Sequence, residues 1–412
     1  MNTADAESGS KIESESARVP WRSRTVQVVL MSTLLAPLGV PLVAPALPVI
    51  RDAFGVSDAQ ASLLVSAYFL TGIVLSPFIG LLTDRIGRKR VLVASLLTFA
   101  LTGVAIVFAP DFTTVLALRV VQGTAAAGVF ITTVTLIGDA FEGVQRNAVM
   151  GVNVAALSTG AVVFPVLGGA LAAVAWNAPF AAYVLALPVG LFALRYVEEP
   201  ARDREVRGVT YLRGAVETLK GRDALVLYGA SFVTELLLFG TIVTALPFLL
   251  TAEYGLAPVV VGVVLTASEV SSVVVASQNG RLAERVSDTQ LVALGFVCYG
   301  VALLGVWLAP SLLLVALAVA VFGVGLGLSM PAVDAGIAAL VPARFRAGAL
   351  SLRNSTTFLG RATGPILFAG LAVMVGYRPL LLAAAALAFG SGLFAILAGG
   401  PTKTIAVPEK SA

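Results

Sequence analysis

Apolar residues fall in long unbroken runs along this chain, and short charged or turn-rich stretches separate them from about residue 25 to about residue 399. Each run approaches the roughly 20 residues that a helix needs to cross the hydrocarbon of a bilayer. Cutting at the polar loops predicts about twelve spans, at about 25–50, 59–82, 91–109, 113–138, 147–173, 178–197, 224–250, 257–279, 289–309, 311–341, 347–375 and 378–399. Backbone groups in lipid must pair within their own segment, so runs of this length read as helices; a barrel would need short alternating strands. The expected fold class is an all-α membrane protein. Its first apolar stretch is too long and too rich in proline for a cleavable signal and reads as an anchor, with Trp21, Arg22 and Arg24 at the interface.

The pattern also repeats. The two halves align at an offset of 200 positions: Ala109-Pro110 with Ala309-Pro310, Gly123 with Gly323, Arg146 with Arg346, Gly160 with Gly360, and Pro165 with Pro365. Near the start, Ala46-Leu47-Pro48 matches Ala245-Leu246-Pro247. Repeats of six spans cross the bilayer an even number of times, so both halves insert alike. They are expected to be two pseudo-symmetric six-helix bundles about an axis along the membrane normal, with a site between them at mid-depth. The expected divisions are a disordered cytoplasmic tail at 1–20, a first bundle at 21–198, a cytoplasmic linker at 199–223, a second bundle at 224–400 and a cytoplasmic tail at 401–412.

Composition agrees and adds orientation. Of the 412 residues, 58% are hydrophobic and 12% charged, against roughly 25% charged in a water-soluble chain. With the N-terminus inside, Arg51 and Arg378 are the only basic residues in outward loops. The inward loops hold Arg85, Arg88, Lys89, Arg90 and the cluster from Arg202 to Arg222. That asymmetry places both termini in the cytoplasm, for a multi-pass protein of the cell membrane. The net charge of +4 is then a topology signal, and no nucleic-acid partner is expected. A lone cysteine, Cys298, excludes disulfides and thiolate metal sites. Histidine is absent, so proton chemistry must use carboxylates. Neither a metal nor another cofactor is expected, an enzyme is disfavoured, and no phosphate-binding loop is present for direct ATP drive.

The polar loop after the second span reads Gly80-Leu81-Leu82-Thr83-Asp84-Arg85-Ile86-Gly87-Arg88-Lys89, with a weaker copy at Gly280-Arg281-Leu282-Ala283-Glu284-Arg285. In the fourth span stands Arg119-Val120-Val121-Gln122-Gly123; in the fifth, Gly160 to Gly169 with Pro165 and Gly168; in the eleventh, Gly360-Arg361-Ala362-Thr363-Gly364-Pro365. With these motifs the chain resembles a twelve-helix major facilitator superfamily transporter over about residues 21–400, and within that family a drug:proton antiporter. The first loop resembles the family signature in full. The fourth-span residues resemble its proton-coupling motif and the fifth-span residues its antiporter motif. Phe164 stands where that motif has glycine, and Gly364 supplies the glycine in the second half. The resemblance implies transport of a small molecule by alternating access, as a monomer, driven by the proton gradient.

Within that frame each polar residue has two readings. Gly80 permits close helix approach and Gly87 a turn with positive φ. Asp84 suits the exposed amides at a helix N-terminus, where the dipole favours an anion; the resemblance makes the eleventh span that partner. Arg88 would then pair with Asp139, and with Arg85 the loop would clamp the halves on the cytoplasmic side. The alternative is that these cations only enforce topology. Arg119, with Gln122 and Gly123 on its helix face, is either a charge that tunes a nearby carboxylate or a hub for helix ends. Glu235 and Glu269 lie near the middle of the seventh and eighth spans, and a carboxyl there is a proton carrier or a substrate contact. Arg361, on a stripe with Asn354 and Thr357, is a candidate partner for Glu269; in that arrangement Glu235 is the better carrier. Pro37, Pro41, Pro45 and Pro48 predict a bent first span. The expected function is proton-coupled efflux of small lipophilic compounds. The rivals are proton-coupled uptake of a metabolite on the same fold and a transport-inactive membrane sensor.

Overall fold

The computed structural model describes residues 19–199, 221–342 and 345–398. Within them the side-chain surroundings of Val74, Ser76, Pro77, Gly80, Leu81, Asp84 and Ala347 lie outside the description. Most of the expected tail at 1–20, the linker from 200 to 220 and the tail at 401–412 fall outside the described residues.

The first span, α1, is broken where its prolines predict. Arg24–Leu35 passes into a short 3-10 turn at Ala36–Leu38, irregular turns follow, and a second 3-10 turn at Ala44–Ala46 leads into Leu47–Phe54. Proline lacks the donor that a helix needs, so carbonyls in this stretch must find other partners. The remaining spans are α2 (Asp58–Ile86), α3 (Arg88–Ile106), α4 (Phe112–Ala140), α5 (Gly143–Ala172) and α6 (Ala178–Tyr196). The second half holds α7 (Arg222–Tyr254), α8 (Pro258–Ala276), α9 (Asp288–Leu308), α10 (Leu312–Ala339), α11 (Arg346–Val375) and α12 (Tyr377–Ala398). Among the described residues ten helices are long and apolar enough to cross a membrane. The 29-residue α2 and the broken α1 are consistent with the expected twelve. Exposed Leu101, Leu191, Leu313 and Leu397 present the apolar exterior that lipid requires.

Local chemistry sets the helix ends. Ser57 and Gln60 form a reciprocal cap at the start of α2, and Asp111 caps α4 through the amide of Thr114. Gly87 joins α2 to α3 with φ of 104°, the positive-φ turn that its position predicts.

The repeat is visible in backbone geometry. Gly55 ends α1 and Gly255 ends α7 in the left-handed region, with φ of 62° and 61°. A Cβ placed on Gly123 would stand 1.8 Å from the carbonyl oxygen of Tyr68, and one on Gly323 would stand 2.0 Å from that of Ser268. So α4 crosses α2 as α10 crosses α8, through glycines and carbonyls at matching positions. Backbone cannot yield as a side-chain tip can. Gly123→Ala or Gly323→Ala is therefore expected to cost at least the ~1–3 kcal/mol typical of overpacking, read as a lower melting temperature of the purified protein in detergent. An unchanged transition would show that these helices are free to separate.

Two buried clusters form the core. One is built on α1–α6 and receives Phe239, Phe248 and Ala362 from the second half. The other is built on α7–α12 and receives Ala44 from the first. The halves meet along α2 against α11 and α5 against α8. In the second seam a Cβ on Gly169 would lie 2.2 Å from the carbonyl oxygen of Pro258, and one on Gly262 equally near that of Pro165.

Candidate functional site

At mid-depth, where the halves meet, Arg361 of α11 pairs with Glu235 of α7. Its Nε donates to Oε2 and its Nη2 to Oε1, each at 2.9 Å, in a bidentate fork. The cause is backbone proximity. Cβ atoms on Gly360 and Gly364 would lie 2.6 Å from the carbonyls of Phe232 and Leu236, so α11 is drawn against α7 one residue from the arginine. Ser231 and Thr357 share a hydrogen bond one turn away on the same seam, at 3.2 Å. Glu235 is fully buried, whereas 28% of the Arg361 side chain is exposed. Three rings surround its guanidinium: Phe239 at 5.2 Å, Phe69 of the first half at 5.4 Å and Phe358 at 5.9 Å from their centroids. Directly after Glu235, α7 widens into a π-helical segment, Leu238–Ala245, which carries Phe239; such segments recur at functional sites.

The expected pairing of Arg361 with Glu269 is therefore not the one formed. Glu269 of α8 is half-buried and has no hydrogen bond or ion pair among the described residues. It stands within electrostatic reach of both Glu235 and Arg361. Its neighbour Thr266 donates across the seam to the carbonyl of Val162, at 3.0 Å. The site thus contains a neutralised pair and a separate unpaired carboxyl.

Arg119 is fully buried in the first half. Its Nε donates to the Leu64 carbonyl at 3.1 Å, Nη1 to Gln122 at 2.7 Å and Tyr183 at 3.2 Å, and Nη2 to the Gly39 carbonyl at 2.7 Å. Tyr183 in turn donates to the Leu38 carbonyl. The Gly39 and Leu38 carbonyls belong to the proline-broken part of α1 and that of Leu64 to α2. This is the geometry of the hub reading, and no carboxylate meets Arg119 among the described residues.

At the Gly87 end, Arg88 Nε donates to Asp139 Oδ2 at 2.8 Å, and Arg85 is exposed. The expected contacts of Gly80 and Asp84 lie outside the described residues. A residue that the sequence reading did not single out sits here: Glu199 accepts from the amides of Arg88 at 2.6 Å and Lys89 at 3.1 Å. Its carboxylate takes the N-terminus of α3, where the dipole favours an anion. In the packing motif, a Cβ added to Gly160 would lie 2.4 Å from the Leu34 carbonyl oxygen and one added to Gly168 would lie 1.8 Å from that of Leu42, while Phe164 is buried beside Gly160. Pro165 lies inside α5 and Pro365 inside α11.

The family model described as Major Facilitator Superfamily matches residues 29–234 and again 227–411, once per half. The chain belongs to the major facilitator superfamily. It is 28% identical over 357 residues to the bacillibactin exporter of Bacillus subtilis (strain 168), covering 82% of this chain and 87% of that protein. Multidrug resistance protein 2 of the same strain is 24% identical over 379 residues, or 90% and 94% of the two chains. Among solved structures, the nucleoside transporter NupG superposes with a TM-score of 0.77 at 12% identity, over 92% of this chain and all of that one. A bacterial homolog of the human lysosomal transporter Spinster, inward-facing and unoccupied, gives 0.71 at 17% identity, over 92% and 95%. A major facilitator chain is a transporter rather than an enzyme.

One further pair of this major facilitator site escaped the sequence reading. Arg353, nearly buried, lies on α11 two turns from Arg361 toward the Gly87 end, with its Nε 3.0 Å from Asp334 Oδ1 of α10. Asp334 falls inside the predicted tenth span, so an acidic residue in an apolar run was the available signal. No group of three or more His, Cys, Asp or Glu among the described residues is placed to hold a metal ion.

Proposed function

We propose that this protein is a proton-driven exporter of small lipophilic molecules, working by alternating access between the two halves. Relatives named as exporter and multidrug resistance proteins support the direction. The observation that carries the coupling is the unpaired carboxyl of Glu269, beside a pair that already neutralises itself. Ionised, it is a negative charge without an ion-pair partner and only partly in contact with water, which is costly until a cation compensates it. A proton or a positively charged group on the substrate meets that need equally, so the two compete and exchange follows without covalent chemistry. The Phe69, Phe239 and Phe358 rings offer the apolar and cation-accepting lining such a substrate requires. In this reading the termini are cytoplasmic, residues 21–198 and 224–400 are the moving bundles, and the protein acts as a monomer. The Gly80–Lys89 segment, expected as a loop but formed by the last turns of α2, the Gly87 turn and the start of α3, is with Asp84, Arg85, Arg88 and Asp139 the cytoplasmic clamp, and Arg119 with Gln122 anchors the broken α1.

The test is reconstitution in lipid vesicles with an imposed pH gradient and a panel of lipophilic cations and neutral aromatics. Cationic members are expected to accumulate against their own gradient as protons flow the other way, and a protonophore is expected to stop this. Accumulation indifferent to the pH gradient would overturn proton coupling.

A further inference from the structure

Four side chains form a closed ring at the end of the molecule opposite Gly87, and they come from both halves. Arg51 closes α1 and Asp58 opens α2; Phe248 lies on α7 and Tyr377 opens α12. Arg51 Nη1 donates to Asp58 Oδ1 at 2.8 Å, and the Tyr377 hydroxyl donates to Asp58 Oδ2 at 2.6 Å. The Tyr377 ring stacks on that of Phe248, with centroids 6.3 Å apart and planes at 15°. The Arg51 guanidinium completes the circuit over the Phe248 ring at 5.8 Å. From this we infer that Arg51, Asp58, Phe248 and Tyr377 are the gate that closes this end, further residues of the transport cycle proposed above and dependent on that reading.

The division of contacts supports a device that opens repeatedly. Two of the four, the Arg51–Asp58 ion pair and the Phe248–Tyr377 stack, lie within one half each and survive when the halves part. The other two, Tyr377 to Asp58 and Arg51 to Phe248, cross between the halves and are the ones lost. Opening therefore strands no unpaired charge, because Asp58 keeps Arg51. A buried interdomain ion pair would be far harder to break. The close approach of α5 and α8 at Gly169 and Pro258 seals the same end. The ring also gives Arg51 a purpose: topology disfavours an arginine in an outward loop, and this one serves the gate.

The experiment reads gate state directly. Spin labels are placed on cysteines at Ala53 and Ala252, exposed positions on either side of the ring, in a Cys298→Ser background, and the distance distribution is measured in lipid nanodiscs without substrate. Tyr377→Phe removes one hydroxyl and keeps the stack. The separated population is expected to rise about tenfold relative to the closed one, since a hydrogen bond to a carboxylate is among the stronger kind. Asp58→Asn is expected to act the same way, and Phe248→Ala to add to it by removing the other crossing contact. Distributions unchanged in all three variants would overturn the gate. A wild-type protein that fails to move any substrate against a pH gradient, yet shows these shifts, would refute the proton-driven reading while leaving the gate intact.

Discussion

Glu269→Gln is expected to abolish pH-driven accumulation while leaving a folded transporter that equilibrates its substrate. The wild-type side chain makes no hydrogen bond or ion pair among the described residues, so an isosteric amide removes charge and little else. For one-for-one exchange, a pH gradient of one unit is worth about 1.4 kcal/mol, enough to sustain about a tenfold concentration gradient. The variant is expected to hold none, with substrate flux insensitive to a protonophore. Glu235→Gln makes the contrast. It leaves Arg361 facing a neutral partner and is expected to weaken packing and slow transport, yet to keep the response to the pH gradient. The reverse result, coupling lost in Glu235→Gln and kept in Glu269→Gln, would return the carrier role to Glu235.

Arg361→Leu should be among the most destabilising single changes in the protein. It would leave Glu235, fully buried, without either of its hydrogen bonds. Removing one partner of a buried pair typically costs about 3–5 kcal/mol, much of it the penalty for the charge left behind. The expected signature is a large fall in melting temperature in detergent for the single variant and recovery in Arg361→Leu/Glu235→Leu, where no charge is stranded. A double-mutant cycle then isolates the coupling between the two. A single variant as stable as the wild type would show that water reaches Glu235 and that the pair is not a fixed part of the site.

Much of the architecture was legible because the bilayer imposes a one-dimensional rule. A helix must be apolar for its whole crossing, so spans show as runs, and the observed helices match the predicted ones to within a few residues. The bend in α1 follows from four prolines and the α2–α3 turn from Gly87, both local effects. The matched crossings at Gly123 and Gly323 bear out the repeat, since duplicated sequence places the same small residues on the same faces. The site was less legible. Glu235, Glu269 and Arg361 stood out because charge is rare in apolar runs, but sequence distance could not say which carboxyl the arginine reaches. Arg353 and Asp334 went unremarked beside more central residues, and Glu199 lay at the edge of a linker with no local sign of its target. Phe69, Phe239 and Phe358 were indistinguishable from lipid-facing aromatics, because a run apolar all round carries no face.

By itself, then, the sequence determined where the apolar helices lie, the duplication, the breaks at proline and glycine, and the scarcity of ionisable groups able to handle a proton. Those features depend on the energy of single segments in lipid, which composition fixes residue by residue. The tertiary structure alone decided that Arg361 serves Glu235 and leaves Glu269 unpaired, that Arg119 ties down the opened turns of α1, and that four residues from four helices close one end. Such choices depend on how close two backbones come, and that is set by glycines facing carbonyls on helices far apart in the chain.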